Sequence, residues 1–164
     1  MTAIVTRVLL VLLVVATIGC DRVTKRMAAT TLAGTASRSF LGDTVRLEYA
    51  ENPGGFLSLG ATLPAAARTG VFTVATGVAL IVMVGIAIRE RAEGGWRLLG
   101  LTLYIAGALS NWFDRFSSGR VVDFLNIGVG PVRTGIFNVA DVAIMLGACL
   151  LILPWIRTVR DHPS

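Results

Sequence analysis

The sequence predicts an all-α membrane protein with four transmembrane helices and a small extracytoplasmic β-sheet or loop subdomain. Hydrophobic residues make up 54% of the 164-residue chain and charged residues only 15%, whereas a soluble domain carries about 25% charged residues. The mean hydropathy is +0.74, and the apolar residues lie in long blocks. Such blocks are typical of helices that have the bilayer as their solvent. We predict one membrane domain over residues 1–164.

Four apolar blocks approach the roughly 20 helical residues that a bilayer core about 30 Å thick requires. The predicted helices span residues 4–25, 65–88, 96–113 and 136–156. The apolar part of the first block ends at Cys20, and the helix can continue past Lys25 into the membrane interface. The tryptophans lie near block ends, where an aromatic belt is expected; they are Trp96, Trp112 and Trp155.

The first connection, residues 40–60, differs in character from these blocks. Residues 44–49 alternate polar and apolar side chains, the period of a half-buried strand, and Asn-Pro-Gly-Gly at 52–55 is a turn signal. We predict that residues 56–59 return as a second strand, which would give a small sheet on the membrane surface.

The net charge of +5 comes from basic residues beside the apolar blocks, which indicates membrane-surface anchors and not a nucleic-acid stripe. The hairpin at residues 89–97 and the two chain ends hold six Lys/Arg. The two longer connections hold nine Lys/Arg over more than twice the length. The second of these connections covers residues 115–135, and its residues 121–127 are expected to be ordered. Charge density favours cytoplasmic termini, whereas the raw count does not.

The N-terminal segment admits a second interpretation, a lipoprotein signal that ends at Gly19-Cys20. Thr17 is a poor match for the leucine usual three residues before such a cysteine, and three further blocks follow. A lipid anchor adds little to a protein already held by several spans. We interpret the segment as an uncleaved helix.

Strongly polar residues gather at one predicted membrane level. They are Asn111 and Asp114 at the end of the third helix, Asn138 and Asp141 at the start of the fourth, Asp21 and Lys25 at the end of the first, and Asp123 in the last connection. The i, i+3 and i, i+4 spacings put the members of each pair on one helix face. Because polar groups at membrane depth are costly, their convergence predicts a functional site.

The residue types favour acid–base chemistry by two aspartates without a cofactor. A metal site is disfavoured because the single histidine, His162, and the isolated cysteines lie apart from the cluster. A serine nucleophile would need Lys25 as its base, with Ser110 or Ser58 as a nominal partner, and no spacing supports it. Two carboxylates held close share a proton, so one can activate water while the other protonates a carbonyl oxygen. The residues alone do not choose which two aspartates pair.

Two alternatives stay open at this point. Each aspartate could form a structural ion pair with Arg115, Arg120 or Lys25. The carboxylates could also line a proton or ion pathway, which would make the chain a small ion-conducting membrane protein. Four short helices without an internal repeat match a transporter poorly.

Five segments share a pattern with one known family. They are Asp-Arg-Val-Thr-Lys at 21–25, Glu-Asn-Pro-Gly-Gly-Phe at 51–56, Ala-Gly-Ala-Leu-Ser-Asn-Trp-Phe-Asp-Arg at 106–115, Val-Val-Asp-Phe at 121–124 and Phe-Asn-Val-Ala-Asp at 137–141. In this order they resemble the motifs of lipoprotein signal peptidase (signal peptidase II). The resemblance implies an aspartic endopeptidase of the bacterial inner membrane, with both termini cytoplasmic and the site near the outer face. Such an enzyme cleaves prolipoproteins just before the diacylglyceryl cysteine.

The resemblance also implies residue roles. Asp123 and Asp141 correspond to the catalytic pair, and Asn52 and Gly54 on the surface loop would help bind the substrate backbone. Four residues would shape the site, and two would brace the end of the first helix; these are Asn111, Asp114, Arg115 and Asn138, then Asp21 and Lys25. The implied partners are prolipoproteins, membrane phospholipids and globomycin-type inhibitors, with no nucleic acid, and a monomer suffices.

Two positions depart from the commonest pattern of that family. Ser110 stands where glycine is usual, and Gly55 where alanine is usual. Both exchange one small residue for another, so they concern helix contact and loop stiffness more than chemistry.

We hypothesise that residues 44–59 form a lid with glycine hinges and an apolar tip at Phe56-Leu57.

Overall fold

The computed structural model describes residues 3–55, 60, 62–90 and 95–161. These residues form a mostly helical fold with a small antiparallel sheet, which confirms that part of the predicted fold class. The helices are α1 (Ala3–Thr31), α2 (Ala65–Arg89), α3 (Gly95–Ser118) and α4 (Val139–Asp161). The strands are β1 (Arg38–Phe40), β2 (Val45–Asn52), β3 (Val121–Val129) and β4 (Val132–Arg133).

Two of the described helices, α1 and α2, are long and apolar enough to cross a membrane. Helices α3 and α4 have 24 and 23 residues, which is about 35 Å of helix at 1.5 Å per residue. Polar residues interrupt α3, and the apolar part described for α4, Val139–Ile152, is shorter than a full span. The prediction of four membrane spans therefore stays a prediction.

Helix α1 continues beyond Lys25 to Thr31. Its last turns are held by tertiary packing, because Ala28 and Leu32 contact Phe124 of β3. The first helix therefore continues past Lys25, as expected, and Asp21 and Lys25 lie before its last turns. Their role as a brace stays a prediction.

The sheet joins the two connections of the chain, in the order β1-β2-β3-β4. Strand β2 pairs with β3 from Val45 opposite Ile127 to Asn52 opposite Val121, with an irregularity between Leu47 and Ala50. The expected partner of β2 was residues 56–59, which lie outside the described residues, as does the predicted lid tip. The described partners of β2 are β1 and β3, which pair with its two edges.

Helices α3 and α4 approach each other closely at glycines. A β-carbon at Gly107 would overlap the carbonyl oxygen of Ala140, and one at Gly147 would stand 2.6 Å from the carbonyl oxygen of Gly100. Only residues without a side chain permit this approach. The close contact brings the end of α3 beside the start of α4.

Candidate active site

The predicted polar residues meet where α1, α3, β3 and the start of α4 come together. Eight of them are buried: Asp21, Lys25, Asn52, Asn111, Asp114, Asp123, Asn138 and Asp141. Buried polar groups need hydrogen-bond partners, and among the described residues no buried side-chain nitrogen or oxygen lacks one. The partners divide the aspartates into two groups.

Helix α4 begins with a reciprocal cap. The backbone N–H of Asp141 donates to Oδ1 of Asn138 over 2.9 Å, and the backbone N–H of Asn138 donates to Oδ2 of Asp141 over 3.1 Å. This is the geometry of a capping box, in which the N-cap and N3 residues satisfy each other's amides. The buried backbone N–H of Ala140, in the first turn of α4, donates to Oδ1 of Asp21 on α1 over 2.9 Å. The Asp141 carboxylate is therefore fixed by the helix start itself.

Asn111 on α3 joins this helix start to α1. Its Nδ2 donates to Oδ1 of Asp141 over 2.9 Å. Its Oδ1 accepts from Nζ of Lys25 at 2.7 Å and from Nδ2 of Asn138 at 3.2 Å. Because a lysine can only donate, Lys25 fixes the orientation of the Asn111 amide, with its nitrogen towards Asp141.

Asp123 enters the site from β3 and is held by two side-chain amides. Nδ2 of Asn138 donates to its Oδ1 over 2.6 Å, and Nδ2 of Asn52 donates to its Oδ2 over 3.0 Å. Burial raises the pKa of the Asp123 carboxyl above its ordinary value, and the bonds from Asn52 and Asn138 oppose that rise, as do the nearby charges of Lys25 and Arg115.

The other two aspartates belong to an ion-pair network. Nζ of Lys25 lies 2.6 Å from Oδ2 of Asp21 and 2.7 Å from Oδ2 of Asp114. Arg22 reaches Oδ1 of Asp114 at 2.9 Å, and Ser110 donates to Oδ2 of Asp21 over 2.7 Å. The structural ion pairs considered from the sequence are thus present for Asp21 and Asp114.

Asp123 and Asp141 are held differently. None of the ion pairs between described residues includes either carboxylate. Each of their four carboxylate oxygens accepts an amide N–H instead. In the part of the chain that the structure describes, no three His, Cys, Asp or Glu side chains are arranged to hold a metal ion.

The end of β2 and the first residues after it, 52–55, contact the site. Asn52, with 4% of its surface exposed, donates to the carbonyl of Gly55 over 2.9 Å and accepts from the N–H of Gly54 over 2.9 Å. Arg115 donates to the Gly54 carbonyl from Nε at 3.0 Å and from Nη2 at 2.6 Å. Asn52 and Gly54 are thus tied to Asp123 and Arg115, and their predicted contact with the substrate backbone stays a prediction.

The sequence does not predict the contacts that two residues near the site, Ser110 and Phe72, make in the structure. Ser110 was considered as a nominal nucleophile, yet its hydroxyl is directed at the Asp21 carboxylate. No sequence feature marks Phe72 as a site residue, although its ring lies beside Gly55. An apolar side chain within an apolar helix cannot be distinguished from a lipid-facing one by its own sequence context. Of the other serine considered, Ser58, nothing is described.

Comparisons with known proteins agree on one family. Residues 13–157 match the family model described as signal peptidase (SPase) II. A lipoprotein signal peptidase of Mycobacterium leprae (strain Br4923) is 38% identical over 140 residues, which is 81% of this chain and 64% of that protein. Proteins of the same name from Rhodococcus jostii (strain RHA1) and Streptococcus pneumoniae (strain ATCC BAA-255 / R6) are 34% and 30% identical. They cover 90% and 92% of this chain, and 72% and 94% of their own lengths.

Solved structures show the same fold. A bacterial membrane enzyme solved by the in meso method at 2.3 Å resolution has a TM-score of 0.80 and 27% identity, over 94% of this chain and 92% of that chain. A second, at 1.9 Å resolution, has a TM-score of 0.76 and 28% identity, over 89% and 91%. This chain spans about two thirds of the length of the mycobacterial relative and nearly all of the streptococcal one.

Proposed function

The chain belongs to the signal peptidase II family, and on that premise we propose that it removes the signal peptide from prolipoproteins as an aspartic endopeptidase. The proposed catalytic pair is Asp123 and Asp141, and the scissile bond precedes the diacylglyceryl cysteine. The ion-conducting alternative is not favoured, because the matching family model and the three relatives compared above are signal peptidases.

The observation that carries the choice of pair is the division of the four aspartates. Asp21 and Asp114 are neutralised by Lys25 and Arg22, which suits a structural role. Asp123 and Asp141 are buried without a paired cation, and both are held by Asn138, one through its side chain and one through its backbone. Two buried carboxylates near each other cannot both ionise cheaply, so they retain one proton between them.

The chemistry follows from that shared proton. The ionised member takes a proton from water as the water attacks the peptide carbonyl, and the protonated member donates to the carbonyl oxygen. The proton taken from water then passes to the leaving amine as the C–N bond breaks, and the hydroxyl formed from the carbonyl oxygen returns its proton to the carboxylate that supplied it. Amide donors from Asn52, Asn111 and Asn138 keep both carboxylates in place without neutralising them. The ammonium group of Lys25 contacts Asn111, Asp114 and Asp21. It therefore acts on Asp123 and Asp141 indirectly, through the Asn111 side chain.

The proposed placement in the cell suits a lipidated substrate. The helices would cross the bacterial inner membrane four times, with both termini in the cytoplasm and the site near the outer face. A diacylglyceryl cysteine is retained at the membrane surface by its acyl chains, so a pair at the helix ends meets the scissile bond there. Phospholipids and globomycin-type inhibitors would contact the same surface, and one copy of the chain is enough for this mechanism.

The test is a cleavage assay on a lipidated prolipoprotein with the wild-type protein, Asp123→Asn and Asp141→Asn. Each substitution should lower cleavage by at least about 10³-fold, since the pair acts as a unit, while the protein still accumulates in the membrane. EDTA should leave the wild-type rate unchanged. Asp114→Asn serves as the comparison, because its carboxylate is ion-paired. Full cleavage by either Asn variant of the proposed pair would overturn the assignment.

A further inference from the structure

The glycines on either side of residues 56–59 both face the ring of Phe72. A β-carbon at Gly55 would stand 2.7 Å from Cε1 of Phe72, and one at Gly60 would stand 2.9 Å from its Cζ. Non-bonded carbon atoms have their optimum near 3.5–4.0 Å, so a β-carbon at either position would require the Phe72 ring to move. One aromatic ring therefore contacts both ends of this loop segment.

The ring is held from two helices at the level of the site. Phe72 lies in a π-helical segment of α2, Thr69–Ala75, a feature that often marks functional positions. Nε1 of Trp112 on α3 donates to the carbonyl of Thr73 over 2.7 Å. The guanidinium of Arg115 lies 5.8 Å from the centre of the Phe72 ring. Helix α3 thus fixes the segment that carries Phe72.

Gly55 is in turn connected to the site by one amide group. Its carbonyl accepts from Nδ2 of Asn52 over 2.9 Å, and the same nitrogen donates to Oδ2 of Asp123 over 3.0 Å. A displacement of Gly55 away from the ring therefore turns the Asn52 amide away from the carboxylate.

We propose that Phe72 is a positioning residue for Asp123: its ring sets the place of Gly55 and thereby aims the Asn52 amide at the carboxylate. The inference rests on the proposed function, in which Asp123 is one of the reacting groups. It also explains why position 55 is glycine in this chain, where the alanine usual in the resembling motif would overlap the ring. Residues 55 and 72 are then a complementary pair.

The experiment is a double-mutant cycle with Gly55→Ala, Phe72→Leu and the double variant, assayed for kcat on a lipidated prolipoprotein. Gly55→Ala should lower kcat about tenfold and Phe72→Leu about threefold, and the double variant should return to within about threefold of wild type, because neighbours that share one space couple strongly. Gly85→Ala on the same helix is the control, since nothing lies within 4 Å of its β-carbon position; it should retain the wild-type kcat.

The pH profile separates positioning from general loss of folded protein. When the Asn52 donor turns away, the ionised form of Asp123 loses a bond, so the profile of Gly55→Ala should move to higher pH and that of the double variant should move back. A double variant no better than the product of the two single losses, or a Gly55→Ala enzyme with the wild-type rate and profile, overturns the proposal. If Gly55→Ala does not accumulate, Phe72→Leu decides by the same pH shift. A wild-type protein that cleaves nothing defeats the proposed function instead.

Discussion

Asn138 donates from its side chain to Asp123 across 2.6 Å. The same residue caps α4 and gives its backbone N–H to Asp141. One amino acid thus sets the distance between a carboxylate on a strand and a carboxylate on a helix. The relationship separates two properties, helix capping and the hold on Asp123, that different substitutions can remove.

Asn138→Ser should keep the cap and lose the hold on Asp123, because serine is a good N-cap residue but lacks the amide donor. Asn138→Ala should lose both. We expect kcat to fall about 10²-fold in both variants, since misplacement of a reacting group by about 1 Å has effects of this size. The alanine variant should be less stable than the serine variant by about 1 kcal/mol. Thermal unfolding and cleavage rates measured side by side give the answer, and equal stability of the two variants would contradict the capping role.

Lys25→Met should destabilise the fold by about 3–5 kcal/mol, because it leaves the buried Asp21 and Asp114 carboxylates without their shared cation. Arg26→Met, at the exposed neighbouring position on α1, should stay within about 0.5 kcal/mol of wild type. Unfolding in detergent measures both. An equal loss in the two variants would mean that the buried network contributes no more than a surface charge.

Asn52→Ala should move the pH profile of kcat/KM to higher pH. Burial already raises the pKa of Asp123, and the Asn52 bond opposes the rise because it favours the ionised form. Removing the bond raises the pKa further, so the proton shared by the pair is retained to higher pH. Asn126→Ala is the control, since Asn126 also lies on β3 but its amide donates to the Thr134 carbonyl and not to Asp123. A downward shift for Asn52→Ala would contradict the assigned sign.

The mainly helical fold and the polar cluster at one level could be predicted from the sequence. Apolar block length predicts helices, and the i, i+3 spacing of Asn111 with Asp114 and of Asn138 with Asp141 puts each pair on one face. Both signals are local, so they survive without knowledge of the neighbours. The family, too, was predicted from motifs that are local in the chain, and the comparisons confirm it.

The tertiary structure alone decided the partners. Lys25 pairs with Asp21 and Asp114, which leaves Asp123 and Asp141 to amide donors. Strand β2 pairs with β3, which is distant in the chain, from Val45 opposite Ile127 to Asn52 opposite Val121. Phe72 meets Gly55 only because α2 packs beside the loop. Local spacing determines which side chains share a helix face. It does not determine which of several similar carboxylates a cation contacts, because that depends on distances between elements. These distances are set only when the helices and the sheet pack together.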